Sequence, residues 1–269
     1  MRAYGRTALG LVIVGVLLFP LYWMFNASLQ PSGALLKPSP DLFPVAGTLD
    51  GYRAALGTQQ GHLVASIIVS LGTVAVSLAV AMPASYALAQ LEVRGGPVVL
   101  FAMLIVQMIP GIVMANSLYT VFGHLGLIDS YLALILADST ATIPFAILLL
   151  HSFMMAIPKE LSEAALVDGA SHWRTFISII VPVSRNAMVT AGLFSFLFAW
   201  ADFLFAITLT TGQTFEPITV GIYRFLGNQS ADWNGIMATA VLASIPAAIL
   251  LVVAQRYVVA GMTSGAIKD

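Results

Sequence analysis

Six long apolar runs dominate this sequence of 269 residues. A helix needs about 20 apolar residues to cross the roughly 30 Å hydrocarbon core of a bilayer, and every run meets that length. Charged residues make up only 9% of the chain, whereas a soluble domain has about 25%. We therefore predict an all-α integral membrane protein with six transmembrane helices. The predicted spans are 7–28, 62–91, 97–123, 131–157, 186–210 and 234–255.

The runs are expected to form a single transmembrane domain over residues 1–269, in contact with membrane lipid. The first run follows two arginines, as a secretory signal does, but it contains Pro20 and Trp23 and lacks a small-x-small site near its end. We interpret it as a retained helix. The Pro- and Gly-rich segment 29–61 is predicted to be an outward loop with one short helix near 50–56.

Lysine and arginine predict the orientation of the chain. An even number of spans places both termini on one side, and that side holds eight of the eleven basic residues. Cytoplasmic loops carry the excess of Lys and Arg, so we expect both termini in the cytoplasm. The eight are Arg2, Arg6, Arg94, Lys159, Arg174, Arg185, Arg256 and Lys268, and the three on the other side are Lys37, Arg53 and Arg224.

Residues 158–185, which we call the 158–185 loop, lie between the fourth and fifth spans. Pro158 fits the first position of a helix, "PKELSEAALV" consists of good helix formers, and Gly169 can end that helix. Ser171 can cap a second segment, "HWRTFISII", which should end at Pro182. A pair of surface helices without any binding role would also have this pattern. Small residues beside carboxylates also suit insertion into a groove on a partner protein.

The loop resembles the EAA motif of the membrane-spanning subunits of binding-protein-dependent ABC importers. The resemblance is carried by the stretch "EAALVDGASHWRTFISIIVP". The matching positions, expected to couple to an ATPase, are Glu163, Ala164, Ala165, Asp168, Gly169, Ala170 and Pro182.

Further stretches are similar to the sugar-importer permeases of the maltose-system G-subunit type, and together they cover nearly the whole chain. They are "ASYALAQL", "MIPG", "LGLIDS", "IPFAILLLHSF" and the tail "AGMTSGAIKD". The segment "FAWADFLFA" departs from that branch, because Ala201 stands where Asn is usual.

The resemblance implies a type I ABC importer permease in the bacterial inner membrane. It implies that the 158–185 loop forms a coupling helix seated on one of two copies of an ATPase, which would bind ATP and Mg. A second permease subunit and an extracytoplasmic solute-binding protein are the other implied partners. The implied cargo is a sugar, an oligosaccharide or an amino sugar.

The chain's own residues lack the parts for nucleotide hydrolysis. A phosphate-binding loop needs Gly-Lys followed by Ser or Thr, and the three lysines follow Leu, Pro and Ile. We therefore expect no enzyme activity, no catalytic residue and no cofactor bound by this chain. There is no cysteine and no histidine pair at helical spacing, so no metal site is predicted. A net charge of −1 without a basic tract gives no reason to expect nucleic acid as a partner.

Polar residues within the runs are candidates for a substrate pathway, because ionisable groups are costly at membrane depth. The candidates are Asp202, Asp138, Asn116, Gln107 and Trp200. Each could instead bond to neighbouring helices or to a second permease. Two other functional classes remain open: a proton-coupled secondary transporter or channel using Asp138 and Asp202, and an intramembrane hydrolase, for which no Gly-x-Ser-x-Gly stretch lies in a span.

Overall fold

The computed structural model describes residues 2–31, 33–37, 41–44, 46–91, 93–212, 215–228 and 232–264. These residues form helices and connecting turns, without a strand. The helices are α1 (Arg2–Leu29), α2 (Asp50–Gln90), α3 (Gly96–Val106), α4 (Gly111–His124), α5 (Tyr131–Met154), α6 (Lys159–Val167), α7 (His172–Thr175), α8 (Val181–Val183), α9 (Arg185–Ala201), α10 (Leu204–Leu209), α11 (Ile218–Asn228) and α12 (Trp233–Ser264). A 3₁₀ turn spans Ala34–Leu36 and a π-helical stretch spans Phe176–Ile180.

Four described helices, α1, α2, α5 and α12, are long and apolar enough to cross a membrane. Two bent pairs bring the number to six if each pair counts as one span. One pair is α3 with α4, bent by 96°, and the other joins His172–Val183 to α9, bent by 78°. The prediction of an all-helical membrane protein is thus confirmed.

The third predicted span, 97–123, is not a single straight helix. Residues 107–110 separate α3 from α4, and Pro110 takes an extended ψ of 131° directly before α4. Proline removes a backbone donor and disfavours a helical residue before it, which accounts for the break at this point. Pro20, Pro83, Pro144 and Pro246 lie inside unbroken helical segments.

The fifth predicted span, 186–210, is also interrupted. The α9 helix ends at Ala201, and α10 begins at Leu204 after Asp202 takes an extended ψ of 130°. The carboxylate of Asp202 accepts the first backbone N–H groups of α10, as described below, so the chain restarts a helix there at little cost.

The outward loop departs from its prediction. The short helix predicted at 50–56 continues without a break into the second span, so α2 has 41 residues and is about 62 Å long. Gly57 and Gly61 tolerate helical geometry although they weaken it. The α11 helix between the fifth and sixth predicted spans was not anticipated.

The chain divides into two compact units, Met1–Leu63 with Val220–Pro246 and Val64–Thr219 with Ala247–Asp269. In the first unit, the end of α1 is tied to the following segment by side-chain bonds. The Nδ2 of Asn26 donates to the Asp41 carbonyl at 3.0 Å, and the Nε2 of Gln30 donates to the same oxygen at 2.7 Å. Ser28 Oγ lies 2.8 Å from Tyr52 Oη.

Gly51 lies where α2 meets the start of α12 within the first unit. A Cβ added at Gly51 would lie 2.8 Å from the carbonyl oxygen of Asn234 and 2.9 Å from its carbonyl carbon. Both atoms belong to backbone and cannot rotate away. Only a residue without a Cβ therefore allows this approach.

We expect Gly51→Ala to destabilise the protein by about 1–3 kcal/mol, because overpacking forces a backbone shift. Gly57→Ala is the matched control, since the same helix leaves open space around that position. Thermal unfolding of the purified protein in detergent should give a clearly lower Tm for Gly51→Ala alone. Equal Tm values for the two variants would show that the close approach of Gly51 to the Asn234 backbone does not limit stability.

The second unit has two apolar cores along α5. One core joins α5 to α2, the π-helical stretch and α9, and its buried members include Met82, Leu150, Met154 and Ile180. The other joins the opposite half of α5 to α4 and α10 through Ala115, Leu134, Phe205 and Leu209. The α5 helix is thus the common support of the 158–185 loop and the broken fifth span.

Candidate coupling loop and membrane cavity

The 158–185 loop has the predicted order of helix, glycine turn and second helix. Gly169 takes a φ of +85°, a backbone conformation that favours glycine. Its N–H donates to Leu166 O at 3.0 Å, while the N–H of Ala170 donates to Ala165 O at 2.9 Å. Ser171 caps α7, because its Oγ accepts the N–H of Arg174 at 3.3 Å.

Two details of the loop differ from the prediction. Pro158 is the residue before the first helical position, which Lys159 occupies. Pro182 does not end the second helix, because the chain continues through α8 to Val183 and turns at Ser184. A π-helical stretch precedes α8. Its wider turn accommodates a residue without an N–H, since the usual clash with the carbonyl four residues earlier is relieved.

The motif residues divide between the surface and the packed side of the loop. Glu163, Ala164, Asp168, Gly169 and Pro182 are exposed, Ala165 is buried and Ala170 is half-buried. Large apolar side chains stand beside the exposed set: Val167 is 87% exposed and Trp173 is 66% exposed. Contiguous exposed apolar and small residues at the end of a helix pair are typical of a protein interaction surface.

A cavity of about 390 Å³ lies between the end of α2 and the helices of the loop. Its lining includes Glu163 of the Glu-Ala-Ala motif. The lining residues are Tyr86, Gln90, Leu91, Lys159, Ser162, Glu163, Leu166 and His172. Gln90 and Tyr86 were not identified from the sequence. The available signal was a lone glutamine at the end of a long apolar run.

Asp202 lies at the break between α9 and α10. Its Oδ2 accepts the N–H of Ala206 at 2.9 Å and its Oδ1 accepts the N–H of Phe205 at 3.3 Å. The backbone oxygen of Asp202 accepts the hydroxyl of Thr219 at 2.6 Å. The carboxylate therefore stabilises the start of α10, where the N–H groups have no partner within the helix.

The same carboxylate borders a cavity of about 600 Å³. The other lining residues are Phe194, Leu197, Phe198, Ala201, Phe203 and Leu204. An apolar and aromatic cavity with one carboxylate is a common composition for a small-molecule site.

Asp138 is only 5% exposed in α5. Its neighbour Ala137 shares an apolar core with Phe205 of α10, whose N–H the Asp202 carboxylate accepts, so the structure brings these two candidates into one neighbourhood. Thr142, one turn later, donates to the Asp138 carbonyl at 3.0 Å, and its Oγ1 lies 2.7 Å from Ser77 Oγ of α2.

The remaining pathway candidates do not line the cavity at Asp202. Trp200 is buried and stacks on Phe196, with ring centroids 5.4 Å apart. Gln107 is exposed at the break between α3 and α4, and Asn116 is exposed on α4.

Asp129 was also not identified from the sequence. It has a φ of +62°, and its carboxylate accepts both the N–H and the hydroxyl of Thr211, at 3.2 Å and 2.7 Å. Its N–H donates to Leu209 O at 2.9 Å. The turn before α5 therefore holds the end of α10.

The chain has close relatives among transport proteins. Residues 81–264 match the family described as binding-protein-dependent transport system inner membrane component. The trehalose transport system permease protein SugB of Mycobacterium tuberculosis is 34% identical over an alignment 271 residues long, which covers 99% of this chain and 98% of that protein. The trehalose/maltose transport system permease protein MalG of Thermococcus litoralis is 31% identical over 266 residues, which cover 97% of this chain and 95% of that protein.

A solved structure has the same fold. It is the crystal structure of a bacterial ABC transporter involved in the import of the acidic polysaccharide alginate, and one of its chains matches with a TM-score of 0.79 at 22% identity, over 95% of this chain and 96% of that one. The resemblance based on the Glu-Ala-Ala motif is thereby confirmed at the level of the family. The chain belongs to the family of binding-protein-dependent transport system inner membrane components.

Proposed function

We propose that this chain is a membrane-spanning permease subunit of an ATP-driven ABC importer that carries a carbohydrate into the cytoplasm. Family membership supports import across the inner membrane. The carbohydrate class is supported by the names of the relatives, which transport trehalose, maltose, diacetylchitobiose and sulfoquinovosyl glycerol. The chain itself acts as a transport subunit rather than as an enzyme.

The observation that carries the proposal is the surface of the 158–185 loop. Glu163 of α6 and Asp168 at the end of that helix are both exposed before the tight turn at Gly169, and Val167 and Trp173 expose apolar surface beside them. This combination suits a protein groove that has an apolar floor and basic groups at its rim. We assign that groove to an ATPase subunit, which supplies ATP and Mg, whereas this chain binds no cofactor.

The loop couples to the membrane helices through α5 and α9, between which it lies in sequence. When two ATPase copies close on ATP, the loop would move with its ATPase and carry the ends of both helices. The cavity beside Asp202 then changes its access from one side of the membrane to the other. Asp202, Asp138, Asn116, Gln107 and Trp200 remain our candidates for the sugar pathway.

The remaining partners follow from the same assembly. A second permease would complete a heterodimer, and a solute-binding protein would deliver the sugar from outside. The apolar surface of α1, none of which is buried within the chain over its most apolar window, would contact lipid and the second permease. The excess of basic residues on the side of the termini supports our proposal that both termini lie in the cytoplasm of a bacterial cell.

A proton-coupled transporter is the alternative, favoured by the burial of Asp138 in α5 close to the helix that Asp202 caps. Intramembrane carboxylates can form a proton relay. Reconstitution separates the two functions, because they draw on different energy sources.

The test is uptake of radiolabelled trehalose, maltose and diacetylchitobiose by liposomes that contain the purified complex and its binding protein. We expect uptake of one of these sugars only with ATP on the side of the ATPase, and no effect of a protonophore. Uptake driven by a proton gradient without ATP would reject the ABC importer and support the alternative.

A further inference from the structure

We infer that Gln90 is a positioning residue that fixes the 158–185 loop to the ends of both α2 and α5, so that loop movement reaches α2 directly. The inference rests on the proposed function, because it concerns how the loop transmits movement. It assigns this task to a residue that lies outside the loop and outside the Glu-Ala-Ala motif.

The hydrogen bonds of Gln90 join α2 to α5 and α6, which follow more than 60 residues later in the sequence. Its Nε2 donates to Met154 O at 2.8 Å and to Ile157 O at 3.1 Å. Met154 is the last residue of α5 and Ile157 lies three residues beyond it, where backbone carbonyls no longer accept N–H groups from within the helix. Its Oε1 lies 3.5 Å from Ser162 Oγ on α6. A single amide thus uses both its donor and its acceptor ends between α2, α5 and α6.

Aromatic packing supports the same connection one turn earlier in α2. The ring centroid of Tyr86 lies 5.4 Å from that of Phe176 in the π-helical stretch, and Phe176 lies 5.4 Å from Trp173. Tyr86 and Phe176 are both buried in the core that also contains Leu150 and Met154 of α5. The 158–185 loop is therefore packed into the same core as the membrane helices.

The connection matters because the chain joins the loop covalently to α5 and α9 only. Three helices, α3, α4 and α5, separate α2 from the loop in the chain, so α2 can follow the movement of the loop only through side-chain contacts. Along its length α2 also bonds to α5, through Ser85 Oγ and Ile147 O at 3.1 Å and through Ser77 and Thr142. With Gln90 in place, α2, α5 and α6 move as one body.

Substitution of Gln90 tests the role of the amide. Gln90→Ala removes both donor bonds, and Gln90→Glu keeps the side-chain length and the acceptor but removes the donors. The same change at exposed Gln255 of α12, Gln255→Ala, is the matched control. The readouts are co-purification of the ATPase and the number of sugar molecules transported per ATP, using whichever of the three sugars the unsubstituted complex takes up.

We expect both Gln90 variants to assemble but to transport several-fold fewer sugar molecules per ATP, because loss of an ordinary hydrogen bond makes loop positions that are detached from α2 about fivefold more populated. Gln255→Ala should leave the ratio unchanged. An unchanged ratio in both Gln90 variants would overturn the inference. Absence of ATP-dependent uptake by the unsubstituted complex would instead reject the proposed function.

Cross-linking tests the inference even if the Gln90 variants fail to assemble. The chain contains no cysteine, so Leu91→Cys with Leu166→Cys places one thiol on each wall of the cavity between α2 and α6 while Gln90 is kept. A short methanethiosulfonate cross-linker between them should leave transport active, with each single variant as its control. Transport that stops on cross-linking and returns on reduction would contradict joint movement of α2 and α6.

Discussion

Gly169→Leu should abolish ATP-driven uptake while leaving the membrane helices folded. Gly169 has a φ of +85°, and no atom lies within 4 Å of the position where a Cβ would be. A leucine therefore meets backbone strain of about 1–2 kcal/mol but no internal clash. Its side chain projects outward from the surface that we assign to the ATPase. There overpacking of about 1–3 kcal/mol lowers affinity by about tenfold or more.

Gly126→Leu is the matched control for this experiment. Gly126 also has a positive φ, +67°, with open space around it, but it precedes α5 whereas Gly169 lies beyond the other end of that helix. Gly169→Asn adds a second comparison, because asparagine tolerates the left-handed conformation. We expect Gly126→Leu to assemble with the ATPase and Gly169→Leu not to. Normal uptake by Gly169→Leu would count heavily against docking through the loop.

Substitutions of Asp202 should give the second largest loss of transport. Two substitutions separate its role as the cap of α10 from its role in contacting the sugar. Asp202→Ala removes the acceptor for two N–H groups of α10. Because unpaired backbone groups are costly inside a membrane, we expect loss of assembly. Asp202→Asn retains one carbonyl oxygen as a cap but loses the charge. A sugar hydroxyl bonded to the carboxylate would then lose about 1.5–3 kcal/mol, raising the KM for uptake by about tenfold or more.

The measurement is the concentration dependence of uptake by Asp202→Asn complexes that have been shown to contain the ATPase. Asp50→Asn serves as the control for the loss of a carboxylate charge elsewhere in the chain, since Asp50 is exposed in the first unit and its ion pair with Arg53 at 2.9 Å is a surface pair of little energetic weight. If KM and kcat stay at the values of the unsubstituted complex, Asp202 is a helix cap and not part of the sugar pathway.

The sequence was most informative where structure depends on local chemistry. The apolar runs located the long helices because hydrocarbon thickness sets a minimum length. Gly169 and Ser171 located the turn of the 158–185 loop because a positive φ and an N-cap each require particular residues. The coupling roles of the motif residues in that loop remain predictions.

Features that depend on distant contacts were missed. The breaks before α4 at Pro110 and before α10 at Asp202 were also missed, although their causes are local, because hydrophobicity does not register such breaks. Gln90 meets residues 64 and 67 positions later, and Asp129 meets a residue 82 positions later. Asp202 did carry a local signal, since an aspartate before an apolar run is a helix-start pattern. The tail after Ser264, including Lys268, lies outside the described residues.

The central claim is that this chain works with a separate ATPase, and purification of the chain from its native membrane in mild detergent tests it most directly. We predict that a second permease, two copies of an ATPase and a sugar-binding protein accompany it, in amounts that mass spectrometry can count. Recovery of the chain alone or as a homo-oligomer, without any ATPase, would contradict the claim and turn attention to Asp138 and Asp202 as a proton pathway.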